Sequence, residues 1–155
     1  MFETSAANLL AAGLKVTVVA PDGSPLYAAA GRLSIDWCVN PKPDEGMGNS
    51  IAVGVEHSGD ASGWIVALGD MPFIKPATIS AVGQSILSGA LIAAPEFESI
   101  RGHPVAFGRQ MRDELLQLSG DEGGKSLLMR YTITAVPTDD FGILRDIDRP
   151  EDLPV

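Results

Sequence analysis

The chain has 155 residues, with 20 acidic against 11 basic side chains, a net charge of −9 at pH 7 and a pI near 4.5, which excludes a nucleic-acid backbone or an anionic membrane surface as partner. Hydrophobic content of 45% with 20% charged residues is that of one folded domain over residues 1–155 rather than a disordered chain, and the single cysteine, Cys38, excludes an internal disulfide framework. No apolar run approaches the roughly 20 residues of a membrane span, and a start of Met-Phe-Glu lacks the basic region of a secretory signal, so the expected location is the cytoplasm.

In chain order, residues 2–12 are good helix formers, with Thr4 or Ser5 as N-cap and Gly13 as a left-handed C-terminal cap. The "LAAG" at 10–13 therefore closes a helix. A phosphate-cradling loop needs the opposite order, strand before loop before helix. Val16 to Val19, running into Pro21-Asp22-Gly23, predict a strand and its turn. A short helix over Pro25–Ala30 and a strand over Leu33–Val39 follow, with Cys38 a buried, inert thiol. Residues 40–50, "NPKPDEGMGNS", predict a loop whose Asn49 or Ser50 caps a helix carrying Ile51, Val53 and Val55. "GWIVALGD", 63–70, predicts a strand buried on both faces of a parallel sheet. Pro76 opens a helix that ends near Gly89. Strands over Leu91–Ala94, Pro104–Phe107 and Thr132–Val136 alternate with helices over Met111–Leu118 and Lys125–Arg130. The chain closes with "GILRDIDRPEDL", in which Pro150-Glu151-Asp152 suits the first turn of a short helix. This alternation predicts an α/β fold with a doubly wound, mainly parallel sheet.

In such sheets ligands sit beyond the carboxyl ends of the strands. Asp70 ends the most apolar strand, as a turn cap or as a metal ligand. Asp146 and Asp148 point the same way if the backbone is extended, and could hold a hard divalent ion through oxygen or form a solvated acidic turn. Gly46, Met47, Gly48 and Ser50 form a glycine-rich entry to a helix, able to approach a flat or anionic ligand, but match no fixed phosphate-loop pattern. His103, between Gly102 and Pro104, lies at a loop rim as a substrate contact or a turn histidine. His57 ends a helix at the surface. There is no Ser/His/Asp elbow, metal-spaced Cys/His pair or dinucleotide fingerprint.

Taken together, "NPKPDEGMGNSIAVGV", "ALGDMPFIKPATI", "RGHPVAF", "LSGDEGGKSLL" and "DIDRPEDL" resemble, in this order, the molybdenum cofactor cytidylyltransferases and their MobA-like nucleotidyltransferase relatives, over nearly all of residues 2–153. The resemblance implies a nucleotidyltransferase that moves a cytidylyl group from CTP to the phosphate of a molybdenum-bearing molybdopterin cofactor, with Mg²⁺ and release of pyrophosphate. It implies metal binding and catalysis by Asp70 and Asp148, with Asp146 beside them as a further metal ligand. It also implies nucleotide contact by Gly46, Met47, Gly48 and Ser50, and an acceptor pocket at Gly102, His103 and Pro104 bordered by Gly120 and Asp121. Lys125 stands where the family has arginine, keeping the charge without the fork geometry. An acceptor phosphate is already anionic, so positioning and charge compensation would carry most of the rate.

The family's opening strand and its L-A-A-G-x-S-x-R-M-G loop have no counterpart here, since "FETSAANLLAAGLKVTVV" matches the stretch after them. The absent strand would lie between Lys15–Ala20 and Gly63–Gly69. Three outcomes are expected: the two neighbours close up, another chain or a second copy covers the edge, or the fold is weak. CTP turnover by this chain alone is expected to be very weak. The alternatives are another nucleoside triphosphate or phosphorylated acceptor, or a cofactor-binding domain without catalysis.

Overall fold

The computed structural model describes residues 1–149 and residue 151, so the helix start read at Pro150 and Asp152 lies outside the described residues. Helix α1 (Phe2–Ala11) ends as its sequence requires, with Gly13 at φ 85°. It starts earlier than a Thr4 or Ser5 cap allows, because the Ser5 hydroxyl is drawn away to the Gly69 carbonyl at 3.0 Å. There follow β1 (Thr17–Ala20), α2 (Leu26–Ala30), β2 (Asp36–Val39), α3 (Gly46–His57), β3 (Gly63–Val66) and α4 (Pro76–Leu87). The second half comprises β4 (Ile92–Phe97), β5 (Ile100–Arg101), β6 (Val105–Gly108), α5 (Arg112–Leu116), α6 (Lys125–Arg130) and β7 (Thr134–Pro137), then a 3₁₀ turn at Phe141–Leu144.

The 40–50 segment is loop only as far as a short 3₁₀ turn at Pro43–Glu45, because α3 begins at Gly46. A capping side chain is not needed there: the Gly48 N–H finds the Gly120 carbonyl at 2.8 Å, outside the helix. Asn49 instead donates to the Asn40 side chain and the Lys42 carbonyl. Strand β3 ends at Val66, so 67–70 leave the sheet and Asp70 sits in a turn.

The strands form two sheets. β1 and β2 pair in parallel, and the larger sheet runs β3-β6-β4-β7, with β5 extending beside the end of β4. The α/β class stands, but the sheet is mixed: β6 is antiparallel to β3 and β4, β5 is antiparallel to β4, and within the larger sheet β4 with β7 is the parallel pair. The cause is local. Glu98 (φ 49°) and Ser99 (φ 67°) are both left-handed and reverse the chain in two residues, the primed turn of a hairpin, far too short for a parallel crossover.

Both faces of the larger sheet are covered, and its residues alternate accordingly. Ile92, Ala94, Val105 and Phe107 point to a core with Val55, Met111, Leu115 and Leu127, under α3, α5 and α6. Ala93 and Ala106 point the other way, and their small size lets Val82 and Ile86 of α4 come close. A third cluster, Met71, Ile74, Ile79 and Ile143, lies beneath the segments that carry the acids. In the small sheet, Trp37 stacks on Tyr27 at 4.0 Å between ring centroids, whereas Trp64 of the larger sheet is buried and donates to the Ser58 hydroxyl at 3.0 Å.

β1 and β3 do not close up. A cavity of about 700 Å³ separates them, roofed by α1 and floored by α3. Among the described residues no helix is long and apolar enough to cross a membrane.

Candidate metal and nucleotide site

Oxygens of Asp70, Asp146 and Asp148 all lie within 4.8 Å of one another, so residues 76 and 78 apart in sequence meet at the carboxyl end of β3. Two ties hold them there. The Ile147 N–H donates to the Asp70 carbonyl at 2.9 Å, joining the two acid-bearing segments directly. Ile147 itself is buried while Asp146 and Asp148 are exposed, the alternation of an extended chain.

The second tie is Asp140, which the sequence reading passed over. Its carboxylate is 2% exposed and accepts from the Lys75 N–H at 2.8 Å, the Thr78 hydroxyl at 2.7 Å and the Gly142 N–H at 3.0 Å. It thereby fastens the end of the 70–75 loop, at the start of α4, to the turn leading toward Asp146. Gly142 sits so close to the Phe73 carbonyl that a Cβ has no room. Arg145 lays its guanidinium over the Phe73 ring at 4.3 Å. The available signal was "DFG", an aspartate that bonds the N–H two residues on, set among apolar residues.

Among the described residues, Asp70 Oδ1 is buried and has no hydrogen-bond partner. A desolvated carboxylate oxygen is costly unless a cation or donor meets it. With two more carboxylates within reach, the donor set is all oxygen and hard, which fits Mg²⁺ or Mn²⁺.

His103 borders the same site. Its N–H donates to the Ile143 carbonyl at 3.1 Å, and Gly102 packs so tightly on Ile143 that only glycine fits. Pro104 is fully buried and follows a cis peptide bond. Burial holds the His103 ring below its ordinary pKa of 6.5, while Asp70 and Asp146 pull it upward and Arg101 downward. The ring is thus neutral at pH 7, a hydrogen-bonding group facing the acids.

Gly46, Met47, Gly48, Ser50 and Asp121 form a separate bank. The glycines there face the protein itself. A Cβ on Gly46 would lie 2.5 Å from the Gly120 carbonyl and 2.7 Å from the Asp121 carboxylate, and one on Gly48 2.7 Å from the Ser119 carbonyl. Glu45 closes this lock by accepting from the Gly120 N–H at 3.0 Å. The Ser50 hydroxyl accepts from buried Asn40 at 3.0 Å. Met47 is half exposed, and Asp121 is exposed. Met47 and Ser50 line one side of the cavity between the sheets, whose other side ends at Gly69, one residue before Asp70. One cavity is thus lined by Met47 and Ser50 of this bank and by Gly69, the neighbour of Asp70.

The fold is similar to a manganese complex of Rv0371c from Mycobacterium tuberculosis H37Rv, at TM-score 0.80 and 24% identity over 97% of this chain and 82% of that one. It is similar to molybdopterin-guanine dinucleotide biosynthesis protein A from Archaeoglobus fulgidus, at TM-score 0.61 and 19% identity over 88% and 73% of the two chains. A CMP:2-keto-3-deoxy-manno-octonic acid synthetase complexed with CTP follows at TM-score 0.67 and 13% identity, over 96% and 83%. No curated protein matches the sequence. A family model described as the MobA-like NTP transferase domain matches residues 1–135, and the chain belongs to that family of nucleotidyltransferases.

Proposed function

We propose that the chain transfers a cytidylyl group from CTP to the phosphate of a molybdopterin-type cofactor, in the cytoplasm, using a divalent ion at Asp70, Asp146 and Asp148. The observation that carries this reading is the buried, unpartnered Asp70 Oδ1 beside two more carboxylates. The acceptor phosphate oxygen bonds to the α-phosphorus, the bond to the β-phosphate breaks, and pyrophosphate leaves. Magnesium, when bound, would offset the charge on the triphosphate. The chain's own contribution is placement: Asp140 and the Ile147 N–H fix the three carboxylates, and a neutral His103 offers a hydrogen bond to the acceptor without adding charge. With a net charge of −9, such a cation would offset the protein's repulsion of a polyanionic substrate. The family membership and the CTP-bound structural relative support the nucleotide, and the resemblance supports the acceptor.

The test is cation binding first. Mn²⁺ followed by electron paramagnetic resonance should bind the chain, and Asp70→Asn should weaken it by ~100-fold with little change in unfolding temperature. CTP should then bind with Mg²⁺ and not without. Asp121→Asn should weaken acceptor binding more than nucleotide binding. Tighter binding of GTP than CTP would replace the nucleotide, and unchanged Mn²⁺ binding in Asp70→Asn would remove the site.

A further inference from the structure

Beside the three carboxylates stands an arginine that none of them holds. Arg145 immediately precedes Asp146, and among the described residues its guanidinium makes no ion pair. The same dipeptide pairs elsewhere in the chain, where Arg112 reaches Asp113 at 4.0 Å. Arg32 and Arg130 also find carboxylates, those of Glu3 and Glu114. Arg145 instead lies 4.3 Å from the centroid of the Phe73 ring.

The backbone begins this separation. Arg145 closes the 3₁₀ turn with φ −107° and ψ 109°, and donates its N–H to the Gly142 carbonyl at 3.2 Å. Side chains of an extended segment alternate, so Arg145 and Asp146 leave it on opposite sides. Backbone direction alone does not keep them apart, because the arginine side chain is long and exposed and can turn back. The Phe73 ring supplies the rest. Its place is fixed from behind, where its carbonyl packs on Gly142. A guanidinium is held about equally strongly by a solvent-facing ring and by a solvent-facing carboxylate. The ring thus competes with the acids on even terms, and its removal gives the arginine to them.

The two positions have opposite chemical consequences. Arg145 on Asp146 or Asp148 would occupy oxygens that a divalent ion needs. Arg145 on Phe73 leaves those oxygens open and keeps its own N–H donors unpaired. The acceptor that suits such donors is an anionic oxygen, which they can meet with charge-assisted hydrogen bonds.

We propose that Phe73 is a positioning residue that holds Arg145 off Asp146 and Asp148, reserving the carboxylates for the divalent ion and the guanidinium for a phosphate oxygen of the substrate. The proposal rests on the metal site described under the proposed function. The rival role for the same contact is a staple. Phe73 shares a loop with Asp70, and Arg145 adjoins Asp146, so the stack would serve only to join the two acid-bearing segments.

The two roles predict opposite signs when Arg145 is removed. Mn²⁺ binding, followed by electron paramagnetic resonance, is compared in the wild-type chain, Phe73→Leu, Arg145→Gln and the double variant. Phe73→Leu should weaken Mn²⁺ by ~5-fold, and the double variant should recover wild-type affinity. Arg145→Gln alone should bind Mn²⁺ at least as tightly as wild type, yet bind inorganic pyrophosphate with Mg²⁺ ~10-fold more weakly. A staple gives the reverse: Arg145→Gln loses Mn²⁺ affinity, and the double variant is no better than Phe73→Leu. Either result overturns the proposal, as does unchanged pyrophosphate binding in Arg145→Gln. If Phe73→Leu does not fold, Arg145→Gln decides alone, since that side chain is exposed. Absence of Mn²⁺ binding by the wild-type chain removes the metal site and the proposal together. Binding that is lost in Asp70→Asn but indifferent to Phe73 and Arg145 keeps the metal site and overturns the proposal.

Discussion

The bank around Gly46 and Gly48 and the bank around Asp70 use the same residue types in opposite ways. On one bank, Gly46 and Gly48 press against Ser119 and Gly120, the nearby Asp121 is exposed, and the loop closes on itself. On the other, Gly102 and Gly142 press against Ile143 and Phe73, yet the closure leaves Asp70 with a buried, unpartnered oxygen. Both banks are tight. One ends in satisfied groups and the other in an unsatisfied charge, and only the second demands a ligand. Tight glycine packing is thus a sign of rigidity, whereas an orphaned carboxylate is a sign of a missing counter-charge.

Three substitutions probe that contrast. The largest effect is expected for Asp140→Ala, which strands three donors in an apolar setting at about 1–3 kcal/mol each before relaxation. Urea unfolding should show a loss of ~3–5 kcal/mol, and Mn²⁺ affinity should fall as well, because the acid-bearing segments come apart. Gly48→Ala should cost ~1–3 kcal/mol, since its Cβ would meet the Ser119 backbone. Here Mn²⁺ affinity should stay unchanged; a parallel loss of metal binding would show that the two banks act as one.

The smallest effect concerns pH. His103 has a lowered pKa in the folded state, chiefly through burial. Well above pH 6.5 both folded and unfolded chains carry it neutral, so it contributes nothing to the slope. Below that the unfolded chain takes the proton first, and stability falls until the lowered folded value is reached. His103→Gln should flatten stability against pH in that window, measured by urea midpoints in the absence of metal. An unchanged slope would mean the ring is open to solvent.

Much of this architecture was legible in the sequence, because its signals are local. Gly13 and Gly89 end helices, Pro76 starts one, and α6 spans Lys125–Arg130 as its pattern requires. The spacing of Asp146 and Asp148 predicts carboxylates that point the same way if the backbone is extended, and the structure brings both to Asp70, with Ile147 buried between them. What was not legible depends on distant partners. The hairpin at Glu98-Ser99 has neither glycine nor asparagine to announce its positive φ values, so the antiparallel β6 was missed. Gly46 and Gly48 read as open to a ligand because sequence does not reveal that Ser119 and Gly120 lie beneath them. Asp140 went unnoticed for the same reason: its donors Lys75 and Thr78 are 65 and 62 residues away.

The split between the sheets also places the chain's two tryptophans on opposite sides of the cavity, Trp37 against Tyr27 in β2 and Trp64 against Ser58 in β3. Each half of the molecule therefore carries its own intrinsic fluorophore. Removing either one by Trp→Phe leaves emission that reports on a single sheet, so the cooperativity between the halves becomes an optical quantity. Coincident melting curves from the two variants would describe one unit held together by the helices above and below, and displaced curves two units that share a chain.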